Sequence, residues 1–192
     1  MKLINLKNII DFTRVNFDNS ISIGTEASKK EIKKDAIDLK FEELTSDVEM
    51  EALNKIIKLQ NGKGLPKNKM QKGNCTVYGG NGITGMHSEY LCEQPTIAIG
   101  RVGAYCGAVH LTKEKSWITD NSMFIASIKD GVDLDYLFFA LRNLNLNQYA
   151  SQSSHPNIKQ PTVLLKKIPL PKDINIQKSI AQELIGLRGK VS

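Results

Sequence analysis

Between Gln60 and Ile128 the chain never keeps one texture for long: short apolar, β-rich runs alternate with glycine, asparagine and proline. The runs are Cys75–Tyr78, Thr96–Ile99, Ala108–Leu111, Ser116–Thr119 and Met123–Ile128, with turn residues between them. Punctuation this close leaves no room for long helices and predicts a compact, strongly curved β structure. The densest block runs from Tyr78 to His110, where Gly79, Gly80, Gly82, Gly85, Gly100, Gly103 and Gly107 frame polar tips. Glycine permits positive φ and close backbone approach, so such loops can sit tight against a partner. The tips are Asn81, His87, Arg101 and Tyr105, groups that hydrogen-bond and stack rather than a nucleophile beside its base.

The flanks read as helical. Ser28-x-x-Glu31 and Ser46-x-x-Glu49 have the form of capping boxes, predicting helices to about Leu39 and from Val48 to about Leu59. Phe17 to Ile23 has the composition of a short strand. Residues 1–45 lack the density of apolar side chains that builds a core, so residues 1–49 are expected to be an appended arm. Asp133 caps a helix carrying Leu134, Leu137, Phe138, Leu141 and Leu144, with Phe138 and Phe139 as core residues. A polar loop over Asn147–Asn157 precedes a last strand, Val163 to Leu170. Asp173 then opens a helix whose Ile176, Ile180, Leu184, Leu187 and Val191 form a coiled-coil-like stripe. At about two heptads the stripe is too short to stand alone and needs a surface to pack on.

Charge points to a class of partner. Residues 1–50 carry eight basic and ten acidic side chains, whereas residues 51–192 carry eighteen basic and ten acidic. Lys55 to Lys72 holds six lysines and no acid, and Tyr136 to Lys172 five basic residues and no acid. A basic body behind an acidic lead fits a polyanion. At 192 residues the chain is one domain, or one with an appendage. Its N-terminus has no apolar signal-peptide core, and no run is long enough to span a bilayer, so a cytoplasmic location without membrane contact is expected.

Several chemistries lack their residues. There is no Gly-x4-Gly-Lys-Ser/Thr phosphate loop, and Gly100-x-x-Gly103-x-x-x-Gly107 lacks the opening and helix of a dinucleotide fingerprint. The Asn/Asp-Pro-Pro-Tyr/Phe loop of amino-methyltransferases is missing, and Glu31-Ile32-Lys33 lacks a preceding carboxylate. Cys106 and His110 stand four apart in a strand-like run, a spacing that would pair them only on a helix. His87, His110 and His155 with Cys75 or Cys106 have no metal-ligand spacing. Cys75, Cys92 and Cys106 fit reduced thiols rather than a disulfide framework. No catalytic residue, metal or cofactor is expected.

What the chain offers instead suits nucleic acid. Arginine forks onto guanine, asparagine and glutamine pair with adenine, and lysines hold phosphates. Read in order, Asn61-Gly-Lys-Gly-Leu-Pro66, Val77-Tyr-Gly-Gly-Asn-Gly-Ile-Thr-Gly85, Ile99-Gly-Arg-Val-Gly103 with Gly107, Trp117-Ile-Thr-Asp-Asn121 and Ile168-Pro-Leu-Pro-Lys-Asp-Ile-Asn-Ile-Gln177-x-x-Ile180 resemble the target recognition domain of type I restriction–modification specificity subunits. The resemblance covers about Ala52 to Ile185.

It implies an α/β (α+β) fold: a curved, mixed β-sheet recognition domain with flanking helices and a C-terminal spacer-type helix. It also implies a non-catalytic reader of double-stranded DNA that directs methyltransferase and restriction subunits. The divisions it suggests are 1–49 as an arm, 50–172 as the recognition domain and 173–192 as the start of the spacer helix. Only one recognition domain is present, so a second specificity domain or a homodimer is implied. The recognition part of a fused enzyme, or an interaction remnant docking other restriction subunits, remain alternatives. Loop placement selects Asn81, His87, Arg101, Tyr105 and Gln152 for base or groove contact and Lys63, Lys67, Lys69, Lys72 and Lys159 for phosphates. Ile176, Ile180, Leu184 and Leu187 are expected to form the helix-packing interface.

Overall fold

The computed structural model describes residues 35–191. Its first element, α1 (Ala36–Leu44), starts at Asp35, whose Oδ1 accepts from the N–H groups of Ile37 and Asp38 at 3.0 Å each. Ile37 and Phe41, one turn apart, are buried in the main core, so residues 1–45 do contribute to it, contrary to expectation. The predicted strand at Phe17–Ile23 and the Ser28-x-x-Glu31 cap lie outside the described residues.

No helix follows Ser46. The chain instead forms β1 (Met50–Ala52), a single 3-10 turn, and β2 (Ile57–Asn61). Ile57 is buried, Lys58 exposed, Leu59 half-buried and Gln60 exposed, a period of two that suits an edge strand rather than a helix. Next come β3 (Cys75–Gly79), β4 (Gly82–His87), β5 (Ile97–Gly100), β6 (Val109–Leu111), β7 (Ser116–Ile118) and β8 (Ser122–Ile128). The five expected runs are all strands. β4, expected as loop, pairs back on β3 through the two-residue Gly80–Asn81 turn.

The chain ends with α2 (Leu134–Asn143), α3 (Gln160–Leu164), β9 (Lys167–Pro169) and α4 (Ile174–Val191). Asp133 caps α2 as expected, its Oδ1 accepting from Tyr136 N–H at 2.9 Å. The strand expected over Val163–Leu170 is shorter. Pro161 in the first turn starts α3 at Gln160, and β9 pairs antiparallel with β1.

Three layers result. The central sheet runs β2-β8-β5-β6, all antiparallel, and α1, α2 and α4 pack on the face carrying Ile97, Ile99, Met123 and Ile125. Alternate residues of the same strands, Ala98 and Phe124, face a second cluster with Tyr78 of β3 and Ile118 of β7. There the sheet β4-β3-β7 lies, with β3 and β7 parallel. Burial of every residue of β5 follows from this sandwiching.

In α4 the expected seam is redrawn. Ile180 and Leu184 are buried and Leu187 partly so, but they pack within this domain, where α4 meets α1 and α2. Ile176 is 51% exposed and lies off that stripe. Its place is taken by Gln177, 1% exposed, whose amide donates to the Pro171 and Gly131 carbonyls at 2.8 and 3.0 Å and accepts from Asp133 N–H at 2.8 Å.

Candidate nucleic-acid interface

Four loops meet at one end of the sheets. The Gly80–Asn81 turn reaches Gly100 so closely that a Cβ on Gly100 would stand 2.8 Å from the Gly80 carbonyl oxygen. Arg101, next along, is held on every side. Its N–H donates to the Asn121 carbonyl at 2.9 Å, and its own carbonyl accepts from Ile158 N–H at 2.9 Å. Gly103 N–H donates to Pro156 O, and Val102 bridges to Asn157, which joins the loop over 150–157 to the same cluster. The Arg101 guanidinium donates to the Asp120 carbonyl at 3.1 Å, which fixes its direction while leaving most of its donors unused. The side-chain amides of Asn81 and Gln152 are exposed and make no hydrogen bond with a described residue.

The lysine segment joins this end. Lys63 N–H donates to Ile118 O, and Trp117 Nε1 donates to Lys63 O at 2.9 Å while the Lys63 ammonium sits 5.6 Å from the Trp117 ring centroid. Lys159 is brought alongside by Gln160, whose side-chain amide bonds that of Asn61 at 2.9 Å. Lys67 and Lys69 occupy a 3-10 turn, and the segment continues over the β4-β3-β7 sheet through Lys72. It is pinned there by Gln71 N–H donating to His87 Nδ1 at 3.1 Å and by the Ser88 hydroxyl donating to the Gln71 side chain at 2.9 Å. None of these five lysines has an ion pair with a described residue, whereas Lys40, Lys55, Lys172 and Arg142 are paired with carboxylates.

One predicted contact is corrected. His87 is 4% exposed, packed edge-on against Trp117 with ring centroids 5.4 Å apart. It is an internal brace for the lysine segment and cannot reach a base. Tyr105 is 53% exposed at the tip of the 103–106 turn, in the same loop as Arg101. The sequence reading missed Trp117, which holds the lysine segment, and Asp120, which aims Arg101. A lone tryptophan just before a Thr-Asp-Asn turn was the available signal.

Enzymatic alternatives lose their chemistry. Cys106 is buried, its thiol pKa pushed up by that burial, and its Sγ lies 3.4 Å from Arg101 O, while His110 bonds Gly80 O at 3.2 Å. A protonated thiol with no base beside it is a poor nucleophile. Among the described residues no three His, Cys, Asp or Glu side chains are grouped to hold a metal. No described helix is long and apolar enough to cross a membrane.

Residues 45–187 match the type I restriction modification DNA specificity domain. The chain belongs to that family. Within the specificity-domain family, it is 32% identical over 125 residues to the EcoprrI type I restriction enzyme specificity subunit of Escherichia coli, an alignment covering 62% of this chain and 31% of that protein. Its fold matches the S subunit of the type I system of M. genitalium with a TM-score of 0.66 at 21% identity, over 79% of this chain and 42% of that one. The HsdS subunit of Thermoanaerobacter tengcongensis matches with a TM-score of 0.59 at 16% identity, over 81% and 43%. The chain thus spans about a third to two-fifths of the length of these specificity-domain relatives.

Proposed function

We propose that this chain is the double-stranded DNA-reading component of a type I restriction–modification system, a specificity subunit or half-subunit that directs partner methyltransferase and endonuclease subunits and performs no catalysis itself. The carrying observation is a guanidinium aimed by a fixed carbonyl and two uncommitted amides at one end of the sheets, with five lysines without ion pairs on the flanking segments, of which the stretch through Lys72 runs along the β4-β3-β7 sheet as far as His87. Unpaired lysines suit phosphates, which position a protein on DNA, while Arg101, Asn81 and Gln152 suit base edges. Tyr105 borders the same loop and fits a sugar or base face at the rim. A recognition unit over 50–172, with the helix from 173 leading to a second specificity domain or second copy, completes this reading.

Salt dependence tests it. If Lys63, Lys67, Lys69, Lys72 and Lys159 each neutralise a phosphate, log K falls against log salt with a slope of about −4.5, or about 500-fold between 50 and 200 mM. The measurement is fluorescence anisotropy of duplex DNA with the chain alone and with methyltransferase subunits. Binding that does not respond to salt, or no binding in either case, rejects the reading. Alanine at Lys67 should lower the slope by about 1 and weaken all sequences alike.

A further inference from the structure

Two residues beyond Asn81, inside β4, stands Ile83, a large apolar side chain that is 58% exposed. A bulge decides which way it faces. Val77 pairs with Gly85 and Tyr78 with Ile83, so Thr84 has no partner on β3. Strict alternation would put Ile83 on the face of Gly85 and His87, which the lysine segment covers. There a Cβ on Gly85 would stand 3.2 Å from Met70 Sδ, and Gln71 N–H donates to His87 Nδ1 at 3.1 Å. The extra residue moves Ile83 to the opposite face, the one that carries Met86, itself 46% exposed.

The hairpin that presents Ile83 is held firmly. The Thr84 hydroxyl donates to the Val77 carbonyl at 3.4 Å, and a Cβ on Gly79 would stand 2.8 Å from the Thr84 methyl, so the bulge is packed onto a glycine. The tip rests on His110 of β6, whose Nε2 lies 3.2 Å from Gly80 O. Gly82, at φ +86°, leaves room for the same ring, which a Cβ there would meet at 3.3 Å. Little conformational freedom is left to be lost when this tip meets a partner.

We infer that Ile83 is a specificity residue that contacts the 5-methyl group of thymine in the major groove, beside the base that Asn81 reads. The inference rests on the DNA-reading function proposed above. The major groove admits a two-stranded β-ribbon, and thymine is the base that presents an apolar group there. Asparagine pairs with adenine, and every A·T pair brings a thymine methyl with it. Cα atoms two residues apart lie at most about 7 Å from each other, the length of two base-pair steps. Asn81 and Ile83 therefore reach the same or neighbouring pairs, one by hydrogen bonds and the other by apolar contact. The uncommitted Asn81 amide favours a base edge over the dry centre of a protein interface, where that amide would need partners of its own.

The test starts from a duplex selected out of a random-sequence pool by the full-length chain, alone and with methyltransferase subunits. Each thymine of that duplex is replaced singly by deoxyuridine, which removes the methyl and nothing else. Binding should weaken about fourfold at one or two positions, the effect of one buried methyl. Ile83→Ala should bind the thymine and uracil duplexes alike, and Ile83→Val should keep most of the discrimination, with urea midpoints showing that both variants fold. Within about two base pairs of that thymine, 7-deaza-adenine should weaken the native chain but not Asn81→Ala. Discrimination that survives in Ile83→Ala, equal binding of thymine and uracil at every position, or a selected duplex without an A·T pair overturns the inference and leaves the DNA-reading function standing. Indifference to the methyl joined to weaker association of Ile83→Ala with methyltransferase subunits also overturns it and makes Ile83 a protein contact. If no duplex is selected and binding does not respond to salt, the DNA-reading function falls and this inference falls with it.

Discussion

On the proposed function, Arg101 is a side chain prepared for recognition. Its backbone is bonded on both sides and its guanidinium is aimed by the Asp120 carbonyl, so little freedom remains to be lost when it meets a base. Arg101→Ala is expected to relax preference at one base pair by about 1–3 kcal/mol without changing the salt slope appreciably. Competition binding with single-base-pair variants checks this. Loss that is uniform over all sequences would make Arg101 a phosphate contact instead. Asp38 gives a pH prediction. Its carboxyl binds its proton more tightly in the fold than in the unfolded chain, chiefly through burial. That contribution favours the folded state in acid and is lost as pH rises through the folded-state value. Asp38→Asn should therefore remove a decline in stability across the range just above the ordinary aspartate value and should not destabilise at neutral pH. Urea titrations at several pH values measure it.

At the scale of elements, what the sequence revealed depended on whether a segment's partner lay nearby in the chain. α2 was legible because its cap, Asp133, and its buried stripe from Leu137 to Leu141 are local. β2 was not, because its pairing partner is β8, and Ser46-x-x-Glu49 imitated a cap that the fold does not use. β4 was hidden by its glycines, which turned out to shape a hairpin rather than a loop. The same limit applies to the site. The structure has Asn81, Arg101 and Gln152 in loops, where the sequence put them, but nothing local distinguishes an exposed histidine from His87, buried against Trp117. α4 carries the clearest element-scale prediction. Gln177 replaces an apolar seam residue, splints α4 to the turn before α2 through two hydrogen bonds and holds α4's own lead-in at Pro171 through a third. Gln177→Leu fills similar space but strands two carbonyls and an N–H, so it should cost about 2–4 kcal/mol, read as a lower urea midpoint.

For the whole molecule, α4 is part of the fold before it is part of anything else. Ile180 and Leu184 together contribute about 3–6 kcal/mol by burial, comparable with the entire stability of a typical domain. A chain ending at Lys172 should accordingly fail to unfold cooperatively, which circular dichroism during a urea titration would reveal. A stable, cooperative 35–172 fragment would return α4 to the role of a detachable spacer. Charge is partitioned on the same scale. Acids concentrate on and after α1, where they pair with Lys40, Lys55, Arg142 and Lys172, whereas Lys63, Lys67, Lys69 and Lys72, on the segment bordering the smaller sheet, have no ion pair with a described residue. One other feature reaches across the molecule. β1 and β9 pair residues 50–52 with 167–169, and the 150–157 loop must arrive before the cluster around Arg101 is complete. During synthesis, then, a ribosome has to release nearly all of this stretch before the first and last strands can meet. Until then, on the proposed function, the growing chain would expose its lysines on an unclosed scaffold, able to cling to any polyanion yet unable to tell one sequence from another.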